Sequence, residues 1–231
     1  MSAKQIVPGV HSIALGGVNV FLVEGDDGLT LVDTGMPDSA DKILAAMHGL
    51  GRQAQDVRHI LITHLHTDHT GGLAAIKEAT GATVVAHPAT AAAIRAGQVW
   101  RPVQPGPGML SKLIHRLFTS RNKPKPQSPV AVEREVADGE IVVNGIKAIH
   151  TPGHTVGHTS YLWPQHGGVL FVGDAASAML SLGYMFIYED LAEGQYSLSK
   201  LSGLSFEVAC FSHGKALIGG AAARFRERFA E

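Results

Sequence analysis

The 231-residue chain has one cysteine, almost no net charge and no long apolar run, and each absence excludes a class of protein. Cys210 is alone, so no internal disulfide can form, and a zinc site built on cysteines is excluded. The formal net charge of −1 gives no reason to expect a nucleic-acid partner. No apolar run approaches the length that spans a bilayer, so stable membrane insertion is not expected.

Residues 1–5 lack the charged and apolar regions of a signal peptide, and with the lone cysteine this predicts a cytoplasmic protein. The charged fraction of 17% and the apolar fraction of 45% are those of a folded globular chain. At this length the chain fits one large domain, so we expect a single domain over residues 1–231. Its oligomeric state is left open.

The order of apolar and amphipathic segments predicts an α/β sheet protein. Short apolar runs at 18–23 and 29–32 indicate strands, and residues 38–50 show helical spacing. A strand at 59–63 and a helix at 72–79, ended by a glycine, follow. Later segments indicate strands at 83–86, 140–143, 146–150, 159–163, 168–172 and 208–211, and helices at 193–207 and 220–230. Two β-rich halves, each with helices, predict two facing sheets with helices outside.

The densest chemical signal is a cluster of three histidines and one aspartate within six residues, directly after the strand at 59–63. The cluster consists of His64, His66, Asp68 and His69. No packing argument explains this density, whereas neutral imidazoles and carboxylates are ligands that Zn²⁺ favours. The pattern therefore predicts a metal site on a strand-to-helix turn, and such a turn can present ligands to two neighbouring ions.

Three further candidate ligands lie at the ends of strand-like runs, beside glycines or turns: His154, Asp174 and His213. If the strands end at the same edge of the sheets, these residues would complete two metal sites that share one carboxylate.

These motifs together resemble the metallo-β-lactamase-fold superfamily, in its glyoxalase II-like and lactonase-like branch. The segments 63–69, 151–158, 173–174 and 212–214 match in the family's order, and the resemblance extends from Gly9 to the C-terminus. It implies a four-layer αβ/βα sandwich of two mixed β-sheets flanked by helices. The metals are expected at one edge of the two sheets.

The resemblance also implies a ligand set and two divalent ions, with Zn²⁺ the first expectation and Mn, Co or Fe as alternatives. His64, His66 and His154 would bind the first ion. Asp68, His69 and His213 would bind the second, and Asp174 would bridge both.

Two more residues match positions that support the ligands in the family. Asp33 resembles a carboxylate near the site, although a turn-forming aspartate after a buried strand is the alternative interpretation. His158 resembles a histidine that orients a ligand by hydrogen bonding.

The implied reaction is hydrolysis of an ester-like bond in a lactone, thioester or carboxylic ester by a hydroxide that bridges the metals. Asp68 and Asp174 would be the catalytic carboxylates, and Asp68 could also accept a proton. The sequence shows no Ser/His/Asp arrangement and no phosphate-binding glycine loop.

Several relatives of the same fold remain as alternatives. β-Lactamases with this histidine motif generally lack a bridging carboxylate, so Asp174 argues against them. Lactonases often have a tyrosine three residues after that carboxylate, where this chain has Ser177, although Tyr184 and Tyr188 lie nearby and could contact substrate. Persulfide dioxygenases use a single iron and usually carry Gly-Cys where this chain has Gly-His158. Phosphodiesterase activity is a further alternative, and the match to glyoxalase II is partial because the tail after His213 is short.

The segment at about 89–130 differs from the rest of the chain. It is rich in proline, and no acidic residue occurs between Glu78 and Glu133. Residues 109–118 show an amphipathic helix pattern with basic residues on the polar face. The segment is predicted to be an insertion that packs its apolar stripe on the body, a lid over the metal site with Trp100 and Phe118 in the substrate wall, or a membrane-contacting element.

Overall fold

The computed structural model describes residues 2–119 and 125–230, apart from the side chains of residues 118 and 119. Its strands are β1 (Lys4–Val7), β2 (Val10–Ala14), β3 (Asn19–Gly25), β4 (Gly28–Val32), β5 (Val57–Leu61), β6 (Thr83–Ala86), β7 (Gln104–Pro105), β8 (Arg134–Glu135), β9 (Lys147–His150), β10 (Thr159–Trp163), β11 (Val169–Gly173), β12 (Ile187–Tyr188), β13 (Val208–Phe211) and β14 (Leu217–Ile218). Its α-helices are α1 (Ala40–Gly49), α2 (Thr67–Thr70), α3 (Leu73–Thr80), α4 (Pro88–Arg95), α5 (Gly108–Thr119), α6 (Leu191–Ser202) and α7 (Ala221–Phe229).

The strands form two mixed sheets and one small ribbon. The first sheet has the order β1-β2-β3-β4-β5-β6-β8, antiparallel up to β4 and parallel from β4 onward. The second sheet has the order β14-β13-β11-β10-β9, and only its β11–β13 pair is parallel. The ribbon pairs β7 with β12.

Three apolar cores separate four layers. Successive residues of a strand point to opposite faces, so β3 sends Leu22 toward the helices of the first half and Phe21 toward the second sheet. In the same way β11 sends Phe171 into the core between the sheets and Leu170 toward α6 and α7. The middle core also buries Tyr161 completely. This arrangement confirms the predicted αβ/βα sandwich.

The sequence misplaced or missed several elements. The predicted strand at 140–143 is wrong, because the chain turns at Asn144, which has a φ of 49°, and only Ile141 forms an isolated bridge, to Lys147. The strands β1 and β2 and the helix α4 were not predicted. Helix α6 ends at Ser202, five residues earlier than predicted. Among the described residues, no helix has the length and apolar character needed to cross a membrane.

Candidate metal centre

The seven predicted ligands converge at one edge of the two sheets. His64 and His66 follow β5, and Asp68 and His69 lie on the short helix α2. His154 lies in the loop between β9 and β10, while Asp174 and His213 follow β11 and β13. Their ligand atoms form three overlapping groups, each with its atoms within 4.8 Å of one another: His64, His66 and His154; His64, His69 and Asp174; and Asp68, His69 and His213.

The first group is a triangle of imidazole nitrogens. His66 Nδ1 lies 3.0 Å from His64 Nε2 and 3.0 Å from His154 Nε2. His154 Nδ1 donates to the Ile187 carbonyl at 2.9 Å, and His64 Nδ1 donates to Thr63 Oγ1 at 3.0 Å. Nε2 of both rings is therefore left with a lone pair that points at His66. One proton on His66 cannot serve both contacts, so lone pairs face one another across the triangle.

Such a triangle suits a metal ion. Tetrahedral zinc with nitrogen ligands at 2.0–2.1 Å separates neighbouring ligand atoms by roughly 3.3 Å, close to the spacing observed here. Metal-binding histidines also commonly donate the other ring N–H to an oxygen, as His64 and His154 do.

Asp174 lies between the first group and the third, which consists of Asp68, His69 and His213. Its Oδ2 is 3.4 Å from His154 Nε2 and 3.4 Å from His213 Nε2, while its Oδ1 is 3.6 Å from His69 Nε2. Asp68 Oδ2 completes the third group at 3.2 Å from His213 Nε2. One carboxylate thus touches histidines of both groups, as a bridging ligand must.

Asp33 supports the first-sheet side of the centre. It is buried and has a left-handed backbone with a φ of 60°, which is uncommon for a residue other than glycine. Its Oδ1 accepts the Thr63 N–H, and its Oδ2 accepts both the Thr63 hydroxyl and His69 Nδ1, each contact at 2.8 Å. The carboxylate therefore fixes the His69 ring and, through Thr63, the His64 ring.

His158 supports the second-sheet side through a chain of hydrogen bonds. The Asp174 N–H donates to His158 Nε2 at 2.9 Å, so His158 Nδ1 carries the proton and donates to Thr151 Oγ1 at 2.8 Å. Thr151 lies 3.1 Å from Ser160 Oγ, which gives its own hydrogen to the Val172 carbonyl at 2.9 Å. His158 holds the backbone of a candidate ligand rather than an ion, which agrees with the orienting role expected for it.

Gly173 makes this support possible. Its φ is 59°, and a Cβ atom there would lie 2.6 Å from His158 Nε2. A side chain at this position would therefore push the imidazole away from the Asp174 N–H.

The charge of the carboxylates in the centre also favours bound cations. Asp33, Asp68 and Asp174 pair only with histidines, and within the described ranges no lysine or arginine reaches them. Buried carboxylates are costly without a counter-charge. Asp174 Oδ1 and His69 Nε2 are also buried without a hydrogen-bond partner in the structure. Donor types, spacing and charge therefore fit two divalent ions.

The pKa values of the histidines also differ between the first group and the third. Burial, together with the charge of neighbouring His154, lowers the pKa of His66 to about 3, so its ring is neutral at pH 7. Burial opposes protonation of His213, but Asp174 and Asp68 outweigh it and raise its pKa to about 10. Burial would raise the pKa of Asp174, yet His213 and His69 hold it well below its usual range. Asp68 and Asp174 thus stabilise positive charge at the third group, where they would also stabilise a bound cation.

A cavity of about 570 Å³ opens over the centre. Its walls are mostly apolar side chains, while its floor consists of His66, Asp68, His154, Asp174 and His213. The wall residues are Met36, Val99, Trp100, Ile114, Met179, Met185, Phe186 and Ile187. Trp100 also stacks on His66, with ring centroids 5.4 Å apart and an interplanar angle of 27°.

The two tyrosines expected to contact substrate do not line this cavity, and the expectation is corrected for both. Tyr188 is fully buried because its hydroxyl accepts the Met185 N–H at 2.9 Å and its ring packs edge-on to His154. Tyr184 packs against Phe229 and Arg228 of α7. Phe118 was predicted for the same wall, but its side chain lies outside the described residues.

Sequence reasoning missed several supporting groups. Asn19 donates to the carbonyls of Phe211 and Gly214 at 3.0 and 2.9 Å, and so fixes the loop that carries His213. The Gly17 carbonyl accepts His213 Nδ1 at 2.7 Å. Thr63, at the start of the histidine motif, was the one such residue with a visible sequence signal, whereas backbone carbonyls leave none.

Comparison with known proteins decides the family. The sequence-family model of the metallo-beta-lactamase superfamily matches residues 13–213 of this chain. The chain belongs to this superfamily. Its members are metal-dependent hydrolases that bind divalent ions, typically zinc.

Curated relatives of this chain include the hydroxyacylglutathione hydrolase of Rhodospirillum rubrum. It is 30% identical over 209 residues, which cover 87% of this chain and 64% of that protein. The uncharacterized protein YobT of Bacillus subtilis is 30% identical over 174 residues, 70% of this chain and 63% of that protein. The chain therefore spans just under two thirds of the length of these two relatives. Among solved structures, the metallo-beta-lactamase SMB-1 in complex with mercaptoacetic acid superposes with a TM-score of 0.73 at 28% identity, covering 99% of this chain and 94% of that one.

Proposed function

We propose that this protein is a hydrolase that holds two divalent cations, zinc being the expected metal, and cleaves an ester-like bond in a lactone, thioester or carboxylic ester. The observation that carries the proposal is the position of Asp174, with one oxygen 3.4 Å from His154 and the other 3.6 Å from His69. A carboxylate in contact with both groups suits a pair of ions better than a single one.

In this proposal one ion is held by His64, His66 and His154, and the other by Asp68, His69 and His213, with Asp174 between them. When bound, such ions acidify a water to a pKa near 7 and polarise a carbonyl oxygen. No nucleophilic side chain is then needed.

The chain's own residues supply orientation and proton transfer. Asp68 is the one carboxylate of the centre that is partly open to solvent, with 34% of its side chain exposed, and it lines the cavity floor. Burial opposes its ionisation, but His69 and His213 keep its pKa below the usual range, so it is ionised at neutral pH. Its position at the cavity floor, rather than its basicity, places Asp68 to relay a proton from the attacking water to the leaving group.

The cavity walls favour a substrate with an apolar portion. Trp100, Ile114 and Phe186 offer apolar surface beside the polar floor. An acyl or aromatic group can lie against this wall while its carbonyl reaches the floor. The hydroxyacylglutathione hydrolase relative supports a thioester within this substrate range.

β-Lactamase activity is the second candidate, because SMB-1 and the Rm3 metallo-beta-lactamase, with a TM-score of 0.73 and 28% identity, share the fold over most of the chain. The buried Asp174 argues against it, since β-lactamases with this motif generally lack a bridging carboxylate. A mononuclear iron persulfide dioxygenase and a phosphodiesterase are the remaining alternatives.

Elemental mass spectrometry of the purified protein tests the metal count, and a panel of lactones, thioesters, carboxylic esters, phosphodiesters and a chromogenic β-lactam tests the reaction. We expect about two zinc, manganese or cobalt ions per chain and fastest turnover of an ester-like substrate. His66→Ala should lower both metal content and turnover. The matched control His48→Ala should change neither, because His48 is exposed on α1. One iron per chain with oxygen uptake on a persulfide would instead assign the dioxygenase reaction.

A further inference from the structure

Helix α5 turns its apolar stripe outward. Ser111 is buried, and Ile114 and His115 are partly buried against the body, where His115 Nε2 donates to the Val103 carbonyl at 2.9 Å. Leu110 and Leu113, on the other side of the helix, are 51% and 56% exposed. A surface helix normally does the opposite. Of the three alternatives for this segment, packing of the apolar stripe on the body does not hold at Leu110 and Leu113.

Exposed apolar side chains also lie on a second segment that reaches the cavity over the metal centre. Met109 at the start of α5 is 81% exposed, and Leu180 in the loop after β11 is 84% exposed. Ile114 of α5 and Met179 of that loop both line the cavity over the metal centre. We call Met109, Leu110, Leu113, Met179 and Leu180 the rim face, since they are exposed on the two segments whose residues Ile114 and Met179 line the cavity. Several large apolar side chains exposed beside one cavity commonly mark an interaction site.

The chain segment that contains α5 carries charge of one sign. Of the 19 basic and 20 acidic residues in the chain, seven basic and no acidic ones fall within residues 79–132, which leaves 12 basic against 20 acidic elsewhere. Lys112 and Arg116 lie on α5 itself and are exposed. Of the residues that the structure describes, none forms a salt bridge with either side chain.

We propose that the rim face docks on an anionic lipid surface, with the apolar side chains entering the headgroup region and Lys112 and Arg116 meeting the lipid phosphates. A helix with leucines on one side and basic residues beside them is the arrangement that binds membrane interfaces. A second copy of the chain fits less well, because a two-fold contact through this face would bring Lys112 and Arg116 of both copies together without a carboxylate. Docking places the cavity mouth against the lipid surface.

Co-sedimentation of the full-length, metal-loaded protein with vesicles tests the proposal. Vesicles of phosphatidylcholine alone are compared with vesicles of phosphatidylcholine and phosphatidylglycerol, at low and at physiological salt. We expect binding to the anionic vesicles only, weakened by salt.

Two double variants separate the apolar and the charged contributions. L110S/L113S should weaken binding by roughly tenfold per leucine, and K112E/R116E by about fivefold per basic residue or more. The matched controls are Y196S/I218S, which removes exposed apolar side chains on α6 and β14, and R224E/R226E, which reverses two exposed charges on α7. Neither control should change binding.

Three results would overturn the proposal: no binding to anionic vesicles, equal losses in the variants and their controls, or a concentration-dependent dimer that L110S/L113S abolishes. The dimer would assign the rim face to a second copy. Light scattering of the unmutated protein and of L110S/L113S measures this, and circular dichroism checks that each variant is folded. Metal content and turnover of a water-soluble ester should be unchanged in all of them, which keeps this test independent of the proposed reaction.

Discussion

The floor and the rim of the cavity are built in opposite ways. On the floor and directly beneath it, every candidate ligand ring except His66 has one nitrogen hydrogen-bonded to an oxygen of the protein, as His154 is to Ile187 and His213 to Gly17. On the rim, apolar side chains such as Leu113 and Leu180 meet solvent. A centre that must hold cations at fixed spacing needs rigid, hydrogen-bonded support. A surface that docks on lipid, as proposed for the rim face, needs only area and charge.

The first way to test this contrast is to remove the shared carboxylate of the floor. Asp174→Ala should lower turnover more than about a thousandfold and reduce metal content, because both ligand groups lose their common contact. His66→Ala should act in the same way. Both variants should keep the circular dichroism of the native protein. Full activity in either one would refute the site assignment.

Removing the support beneath the ligands should have the next largest effect. Asp33→Asn keeps the shape of the side chain and tolerates a left-handed backbone, but it replaces one carboxylate oxygen with a donor. Because Asp33 Oδ2 accepts from both Thr63 and His69, zinc affinity should fall about 10- to 100-fold, as competition with a chelator would measure.

The matched control is Asp27→Asn. Asp27 pairs with His59 at 3.2 Å on the surface, so the same chemical change should alter neither stability nor zinc affinity measurably. Equal zinc affinity in the two variants would show that Asp33 only shapes its turn, which is the alternative interpretation of this residue.

A smaller effect is expected from a substitution that crowds His158, the residue that supports Asp174. Gly173→Ala forces a Cβ against His158 at a positive φ and should lower the free energy of unfolding by about 1–3 kcal/mol. Gly49→Ala is the control, since nothing lies within 4 Å of a Cβ at the end of α1, and there alanine should be neutral or slightly stabilising. Urea denaturation of both variants measures the difference, and comparable losses would contradict the role given to Gly173.

The smallest effect is expected from a substitution in the apolar wall of the cavity. Trp100→Ala removes an aromatic contact worth about 0.5–1.5 kcal/mol, so the preference among ester substrates should shift by up to roughly tenfold. Metal content should stay near that of the native protein, since Trp100 is not a ligand. A variant with lost metal and unchanged preference would make Trp100 a support of His66 rather than a wall residue. The prediction for Phe118→Ala is the same and stays untested by the structure.

The floor was largely predictable from the sequence because its chemistry is concentrated in short motifs. His64, His66, Asp68 and His69 follow one strand, and the remaining ligands each follow another strand-like run. Strand ends that share an edge bring such residues together, so local patterns were enough. The fold class followed from the same order of strands and helices.

The rim could not be predicted in this way. The periodicity of residues 109–118 gave the helix but not its orientation, since packing alone decides which side meets the body. The expectation that Tyr184 and Tyr188 contact substrate failed for the same reason. A distance of ten to fourteen residues along the chain from Asp174 does not fix the direction of a side chain. The cytoplasmic location and the single-domain organisation stay predictions.

The hydrogen bonds behind Asp174 have a fixed polarity. They begin at a backbone N–H, pass through His158, Thr151 and Ser160, and end at the Val172 carbonyl. Neither end can exchange its role, since an amide N–H only donates and a carbonyl only accepts. Burial also keeps the pKa of His158 well below its usual range, so the ring does not take up a second proton. This chain of hydrogen bonds therefore does not relay a proton from Asp174 into the protein interior. In the proposed reaction, protons would leave through Asp68 and the open mouth of the cavity.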